Sequence, residues 1–356
     1  MSTEHNSKTA IIMAGGTGGH IFPGLALAHE LHKNNWKVHW LGSPHRMEAQ
    51  LLADQPYPFE AVEFSGVRGK SWRETITAPF RLIKACFQAF QVLRRIKPNL
   101  IVGFGGYITV PAAVVAFFLN IPVWLHEQNS VAGMANKLLA KWAKQVFSAF
   151  PNVLPKAQWV GNPLRQIFTE KAQPTERFKN RQGPLKILVV GGSLGAQALN
   201  DNVPKALALI DPAKRPSVTH QAGAKHLIQL ENIYSQLGVQ AQTTAFIQDT
   251  AQAFADADLI ICRAGASTVT EIAAIGAAAI FVPFPHAVDD HQTVNANYLV
   301  AHQAAWLLPQ HQLTPEKLAE LLQNTNRTEL LMMAENAYQQ RKINAAQSIA
   351  LLAQNI

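Results

Sequence analysis

Short apolar runs alternate with segments of helical spacing along the chain. Residues 10–14 form an unbroken apolar run of strand length. Residues 23–33 read as a helix, with Pro23 in its first turn and Leu25, Ala28 and Leu31 on one face. Residues 37–41 are the next strand candidate, and residues 100–102 and 122–125 are buried-strand candidates. This rhythm predicts βαβ units around a parallel sheet. One stretch, 108–125, is apolar enough to suggest a membrane span, but Pro111, Asn120 and Pro122 interrupt it. It reads better as a buried helix over 111–119, a turn at Asn120 and a following strand. A last long helix is expected over 327–353.

The pattern then restarts. Residues 187–195 read ILVVGGSLG where residues 11–19 read IIMAGGTGG. Gly15, Gly16 and Gly19 fall on Gly191, Gly192 and Gly195, and Thr17 falls on Ser193. Two similar α/β domains in tandem follow from this, each opening with strand, glycine loop and helix. Five prolines between 151 and 184 mark the linker or domain edge. Ligands of open α/β sheets bind at the carboxyl ends of the strands, so two such domains are expected to form a cleft lined by both loops.

Composition narrows the class. At 356 residues, 48% hydrophobic and 15% charged, the chain can build real cores and is not generally disordered. Two cysteines exclude a disulfide framework and leave the cytoplasm as the default compartment. The polar N-terminus has no signal-peptide core. The net charge is +8, and nearly all of it lies between Arg68 and Lys97, where eight basic residues face only Glu74. There Phe80, Ile83, Phe87, Phe90 and Leu93 recur at helical spacing beside Arg81, Lys84, Arg94 and Arg95. Such a stripe is either a core face or an interfacial anchor, and the charge bias favours an anionic membrane surface. No recognition motif accompanies the basic residues, so nucleic acid is a poorer partner.

Glycine-rich turns entering helices suit phosphate groups. Three qualify here: 15–19, 103–106 and 191–195. There is no G-x-x-x-x-G-K-[ST], and Ile21 breaks G-x-G-x-x-G. The second strand ends without an acid to hold an NAD ribose, which disfavours a dinucleotide oxidoreductase. A fourth candidate is CRAGASTVTE, 262–271, leading into the helical AAIGAAA. There Glu271 either closes a capping box with Thr268 or clamps the two hydroxyls of a ribose. His286, Asp289, Asp290 and His291 could bind a divalent ion, but a polar loop around a sugar is the better reading.

Seven segments occur in order: GGTGGH at 15–20, SGVRGK at 65–70, GFGGY at 103–107, HEQN at 126–129, GNPLR at 161–165, GGSLGA at 191–196 and CRAGASTVTE at 262–271. Together they closely resemble the MurG family, the N-acetylglucosaminyltransferases of bacterial peptidoglycan synthesis. The resemblance implies a GT-B fold, with two Rossmann-like domains whose parallel sheets face across a cleft. The domains would be 1–163 for the acceptor and membrane, and 164–339 for UDP-GlcNAc, with a last helix near 340–356 returning to the first. It implies inverting transfer of GlcNAc from UDP-GlcNAc to the C4 hydroxyl of MurNAc in lipid I, at the cytoplasmic face of the inner membrane, without cofactor or metal. A UDP-GlcNAc 2-epimerase or a glycolipid glycosyltransferase of the same architecture is the alternative.

Residue by residue, the resemblance assigns Thr17, Gly18, Gly19 and Asn129 to the donor sugar or acceptor, Arg165 to the donor, and Ser193 to its pyrophosphate. It gives Ile247 to uracil, Ala266, Ser267, Thr268, Val269 and Thr270 to a phosphate-binding helix start, Glu271 to ribose and Gln292, with His291 as fallback, to sugar hydroxyls. The acceptor hydroxyl needs a base. His20, directly after the first glycine loop, is the expected one, because a free imidazole is mostly neutral near pH 7.

Overall fold

The computed structural model describes residues 7–64, 77–192 and 195–356. Contacts divide the chain into two compact units, Met1–Arg165 with Ile343–Ile356, and Gln166–Lys342. The first sheet holds β1 (Thr9–Met13), β2 (Lys37–Gly42), β3 (Phe59–Ala61), β4 (Leu100–Gly103), β5 (Val123–Glu127), β6 (Gln145–Ser148) and β7 (Gln158–Trp159). The second holds β8 (Lys186–Val190), β9 (Ser217–Gln221), β10 (Gln242–Thr244), β11 (Leu259–Cys262), β12 (Ala279–Phe281) and β13 (Ala305–Leu307). Every pairing is parallel, and the orders are β3-β2-β1-β4-β5-β6-β7 and β10-β9-β8-β11-β12-β13. The same winding occurs twice, as the sequence repeat predicts. In each sheet the order reverses beside the first strand, between β1 and β4 and between β8 and β11. Crevices for ligands open at such points.

Both faces of the first sheet are covered. Ile12, Trp40, Val102 and Phe147 pack under the helix Gly18–Lys33, while Ile11, Leu41, Ile101 and Leu125 pack under the helices Ala78–Ile96 and Thr109–Phe118. The helix Gly18–Lys33 starts five residues before the pattern places it. Its two leading glycines carry no apolar signal, and Pro23 lies in its second turn rather than its first. The buried face is Ile21, Leu27, Ala28 and Leu31, with Leu25 only half-buried. At Gly24 the helix meets the sheet so closely that a Cβ would sit 2.8 Å from the Trp40 ring.

The prolines of 151–184 lie on both sides of the division between the two units, which falls after Arg165. Residues up to Arg165 belong to the first unit, with β7 completing its sheet. From Gln166 onward the chain is part of the second unit. Phe168 is buried against Phe254, and Arg181 pairs with the buried Asp258, which also pairs with Arg327. The terminal helix is two helices, Arg327–Gln339 and Ala345–Ala353. The first buries Leu330, Met333 and Ala334 in the second unit's core. The second buries Ile349, Ala350 and Ala353 in the first unit's core, against the helix Gly18–Lys33.

No helix among the described residues is long and apolar enough to cross a membrane. The run at 108–125 divides into the helix Thr109–Phe118, a left-handed turn at Asn120 (φ 57°) and β5. Its inner residues are buried, but Phe117 and Phe118 stand exposed at its end.

Candidate functional sites in the two units

The loops after β1 and β4 meet in the first unit. Glycine at 106 is required there: φ is 83°, and a Cβ would lie 2.7 Å from the Gly15 carbonyl oxygen. The first loop is not an open phosphate cradle, contrary to the expectation. Glu48, 1% exposed, takes that place. Its carboxylate accepts the Gly16 amide at 3.2 Å and the Ser43 amide at 3.1 Å. A Cβ on Gly15 would come within 2.6 Å of that carboxylate. An internal anion thus occupies the turn, and only the first-turn amides of the helix Gly18–Lys33 remain for a ligand. Thr17 is the exposed N-cap of that helix and makes no side-chain capping bond.

His20 lies in the same first turn, half-buried. Its Nδ1 is 2.8 Å from Gln128 Oε1, and Gly105 packs beside the ring, where a Cβ would be 3.3 Å from Cε1. Beyond Gln128 the loop after β5 is built around Glu127, which is almost fully buried. One carboxylate oxygen accepts the Asn129 amide at 3.0 Å. The other accepts the Gly133 amide at 3.0 Å and Asn136 Nδ2 at 2.9 Å. Asn129 is therefore held in place by Glu127. Arg165 sits over the ring of Phe22, 5.0 Å from its centroid, and so lies beside the helix that carries His20.

The second unit repeats the theme with different chemistry. The Gly191 and Gly192 amides both donate to Gln221 Oε1, at 3.1 and 3.2 Å, so this turn too is filled by a side chain. Gln221 Nε2 in turn donates to the Gly192 and Ala245 carbonyls. That ties the loop to the segment carrying the half-buried Ile247. Ser193 lies outside the described residues.

The helix Ala266–Ile275 follows β11, with Gly265 as N-cap and no side chain capping it. The capping-box reading of Thr268 and Glu271 therefore fails, since Thr268 is already inside the helix. The helix also stops at Gly276 (φ 69°), so the residues after it enter β12 rather than extending it. Val269 is in the core, and the Thr270 hydroxyl donates to the Ala266 and Ser267 carbonyls. Val269 therefore offers a ligand its main chain only. The Ser267 hydroxyl oxygen is buried and makes no hydrogen bond among the described residues. Glu271, half-buried one turn on, lies close enough to Cys262 that its charge adds to burial in raising that thiol's pKa.

Gln292, in the first turn of the helix His291–Val300, accepts the Phe284 amide at 2.9 Å and the Ala264 amide at 3.3 Å. It thus joins the loops after β11 and β12, with its amide nitrogen left to donate. Among the described residues, no three His, Cys, Asp or Glu groups stand together as a metal site.

Sequence reasoning missed Glu48 and Gln221, and from the segment HEQN it gave a role to Asn129 but none to His126, Glu127 or Gln128. Each of those missed is a buried polar residue, and only its three-dimensional partners reveal it. His126 donates from Nε2 to the Gly161 carbonyl at 2.9 Å, and burial lowers its pKa from 6.5 to about 4. In the second unit, burial lowers the pKa of His220, which is bonded to Tyr234 and Asn200, to about 3. An unfolded histidine takes up its proton below 6.5, whereas these two resist until 4 or lower, so the stability that depends on their staying neutral is complete above pH 6.5 and is lost progressively as the pH falls below it. Between pH 7.5 and 5.0 each unit should lose about 2 kcal/mol from its buried histidine. Urea unfolding at the two pH values checks this, and coincident midpoints contradict it.

Residues 10–148 match the glycosyltransferase family 28 N-terminal domain, and residues 186–355 match the family's C-terminal domain. A protein of Polaromonas naphthalenivorans (strain CJ2) is 59% identical over 343 residues, which is 95% of each chain. One of Acidovorax sp. (strain JS42) is 57% identical over 348 residues, 98% of this chain and 87% of that one. Both are called UDP-N-acetylglucosamine–N-acetylmuramyl-(pentapeptide) pyrophosphoryl-undecaprenol N-acetylglucosamine transferase. The crystal structure of Acinetobacter baumannii MurG superposes with a TM-score of 0.86 at 40% identity, covering 98% of this chain and all of that one. A UDP-GlcNAc 2-epimerase from Neisseria meningitidis shares the fold at 13% identity, with a TM-score of 0.67 over 97% of this chain and all of that one.

Proposed function

The chain belongs to glycosyltransferase family 28, and within it to the MurG enzymes, and from that membership we propose how its two units divide one reaction. The enzyme transfers N-acetylglucosamine from UDP-GlcNAc to lipid I and yields lipid II in peptidoglycan synthesis. In our reading the first unit activates the acceptor and the second holds the donor.

The acceptor is the C4 hydroxyl of MurNAc. His20 takes its proton, the oxygen attacks the anomeric carbon with inversion, and the bond to the diphosphate breaks with its electron pair leaving on UDP. One observation carries this assignment: His20 has a ring nitrogen without a bond to any described residue, while its rivals are engaged. Glu48 and Glu127 each accept backbone amides through both oxygens. His126 is buried with both nitrogens bonded.

The leaving diphosphate requires charge stabilisation. We assign it to the first amides of the helix Ala266–Ile275, at the positive end of the helix dipole. The Ser267 hydroxyl is a further donor there, and Ser193 and Arg165 share the task. Thr17, Gly18, Gly19 and Asn129 would contact sugar or acceptor. Glu271 is the ribose acceptor, Ile247 reads uracil through its main chain, and Gln292 donates to a sugar hydroxyl through its nitrogen. No cofactor enters this scheme.

We further assign the protein to the cytoplasmic face of the inner membrane as a peripheral protein. The helix Ala78–Ile96 supports this. Its core face is Ala85, Ala89, Val92 and Leu93, whereas Phe80, Ile83, Phe87 and Phe90 are exposed. Of the expected stripe only Leu93 is buried, so the stripe is not a core face. The helix packs against Thr109–Phe118, which adds Phe117 and Phe118 to the exposed apolar surface. Arg94 lies over Phe90, while Lys84 and Arg95 pair with Glu63 and Glu60. The cations at 68–73 lie outside the described residues.

A triple variant, Phe80→Ser, Ile83→Ser and Phe87→Ser, separates the two halves of the proposal. It should lose about tenfold or more in binding to vesicles containing phosphatidylglycerol. It should still move GlcNAc from UDP-GlcNAc to a short-chain, water-soluble lipid I analogue. Undiminished vesicle binding removes the membrane assignment. Failure of the wild type to glycosylate the analogue, or its conversion of UDP-GlcNAc to an epimer, removes the transferase reading.

A further inference from the structure

Gln128 and His126 have no role in the reaction as described, yet they lie directly behind His20. Their hydrogen bonds can be read outward from groups whose polarity is fixed. The Gly161 carbonyl can only accept, so His126 Nε2, 2.9 Å away, carries a proton. His126 is fully buried and neutral, so its lone pair is on Nδ1. One atom of the Gln128 carboxamide lies 3.0 Å from that Nδ1 and 3.0 Å from the His126 carbonyl oxygen. Two acceptors converge on it, so it is the amide nitrogen. The other atom is therefore the oxygen, and it faces His20 Nδ1 at 2.8 Å. An amide oxygen can only accept, so His20 Nδ1 is the donor.

We infer that Gln128 and His126 are positioning residues that hold neutral His20 with its proton on Nδ1, so that Nε2 is the atom receiving the acceptor's proton. The inference rests on the reading of His20 as the base. It goes further, because it names the atom that acts and the groups that select it.

The surroundings leave the relay little freedom. Gln128 is 1% exposed and His126 is not exposed at all. The His126 ring lies against Phe104, 5.5 Å between centroids, and its carbonyl also accepts Asn136 Nδ2 at 3.3 Å. On the other side Gly105, lacking a Cβ, lets the His20 ring approach the loop after β4. An imidazole with no such partner populates both neutral forms, and one of them presents an N–H where the base must present a lone pair. Which nitrogen carries the proton is set by the bond the other makes, and such outer partners typically matter by 10- to 100-fold.

The test is the nitrogen-15 spectrum of the full-length protein labelled at histidine, with the His20 signals identified by their loss in His20→Ala. In the wild type, neutral His20 should show a pyrrole-like Nδ1 and a pyridine-like Nε2. In Gln128→Leu the two signals should move toward each other, and kcat should fall about 10- to 100-fold with the KM for UDP-GlcNAc unchanged. A pyridine-like Nδ1 in the wild type overturns the inference without recourse to any variant. Lost turnover in His20→Ala, with an unmoved His20 pattern and normal kcat in Gln128→Leu, removes the relay and leaves the base. Normal turnover in His20→Ala removes the base, and the relay's part in catalysis with it.

Discussion

His20→Ala should lower kcat by about 10²- to 10⁴-fold, the range for loss of a general base, while UDP-GlcNAc binds as in the wild type. The size of the effect follows from the lack of a substitute. Glu127 holds its loop through backbone amides, and Glu48 fills the turn after β1. His126 remains neutral until about pH 4 and has no nitrogen to offer. In the variant the acceptor hydroxyl can pass its proton only to water, a far weaker base. The fold should survive, because His20 is half-buried and its backbone bond to Thr17 does not involve the side chain. Donor binding should be intact, because the residues assigned to the nucleotide, Arg165 excepted, belong to the second unit. Stopped assays with UDP-GlcNAc and a lipid I analogue, paired with the rise in unfolding temperature caused by UDP-GlcNAc, measure both quantities. Turnover within a few-fold of wild type would falsify the assignment of the base. Loss of the thermal response would show instead that the substitution had reached beyond the acceptor's proton.

Much of the fold is legible in the sequence because parallel sheets buried on both faces leave unbroken apolar runs, and β1, β4, β5, β8 and β11 all have them. The duplicated order of strands is visible for the same reason, through the recurrence of apolar strand and glycine turn. What the sequence conceals is where polar side chains turn inward. Gly15 and Gly16 look like a phosphate cradle whether the anion comes from a ligand or from Glu48, which is over thirty residues away in the chain. Gly191 and Gly192 are equally silent about Gln221. The amphipathic stripe of the helix Ala78–Ile96 fits a core face or an exposed one on pattern alone. The small residues Ala85 and Ala89, which are buried, are the clue that its large residues face away. The tautomer of His20 depends on two carbonyls, at 126 and 161, and no side-chain pattern records a carbonyl.

Gly106→Ala should destabilise the first unit by about 2–5 kcal/mol and lower turnover with it. Two separate penalties combine there. A left-handed backbone costs a residue with a Cβ about 1–2 kcal/mol. In addition, the methyl would sit 2.7 Å from the Gly15 carbonyl oxygen, a main-chain atom that cannot rotate out of the way. The neighbours on both sides are anchored. Gly16 is bonded to Glu48, Phe104 donates to the Met13 carbonyl at 2.8 Å, and the Gly106 carbonyl accepts the Thr109 hydroxyl at 2.8 Å. Overpacking of this kind displaces backbone instead of side chains. The displaced segments are those that carry Gly105 and His20, so the proton-accepting nitrogen moves with them.

Gly16→Ala separates the two penalties. Gly16 also has a positive φ, 97°, but its Cβ would meet nothing within 4 Å. It should therefore lose only the conformational part, about 1–2 kcal/mol. Urea unfolding of the two variants side by side measures the difference, and kcat at saturating UDP-GlcNAc reads the consequence for the base. Equal losses in the two variants would mean that the close approach of the β1 and β4 loops is not what requires glycine at 106. A large loss confined to Gly106→Ala, with the response to UDP-GlcNAc retained, ties the packing of those loops directly to the position of His20.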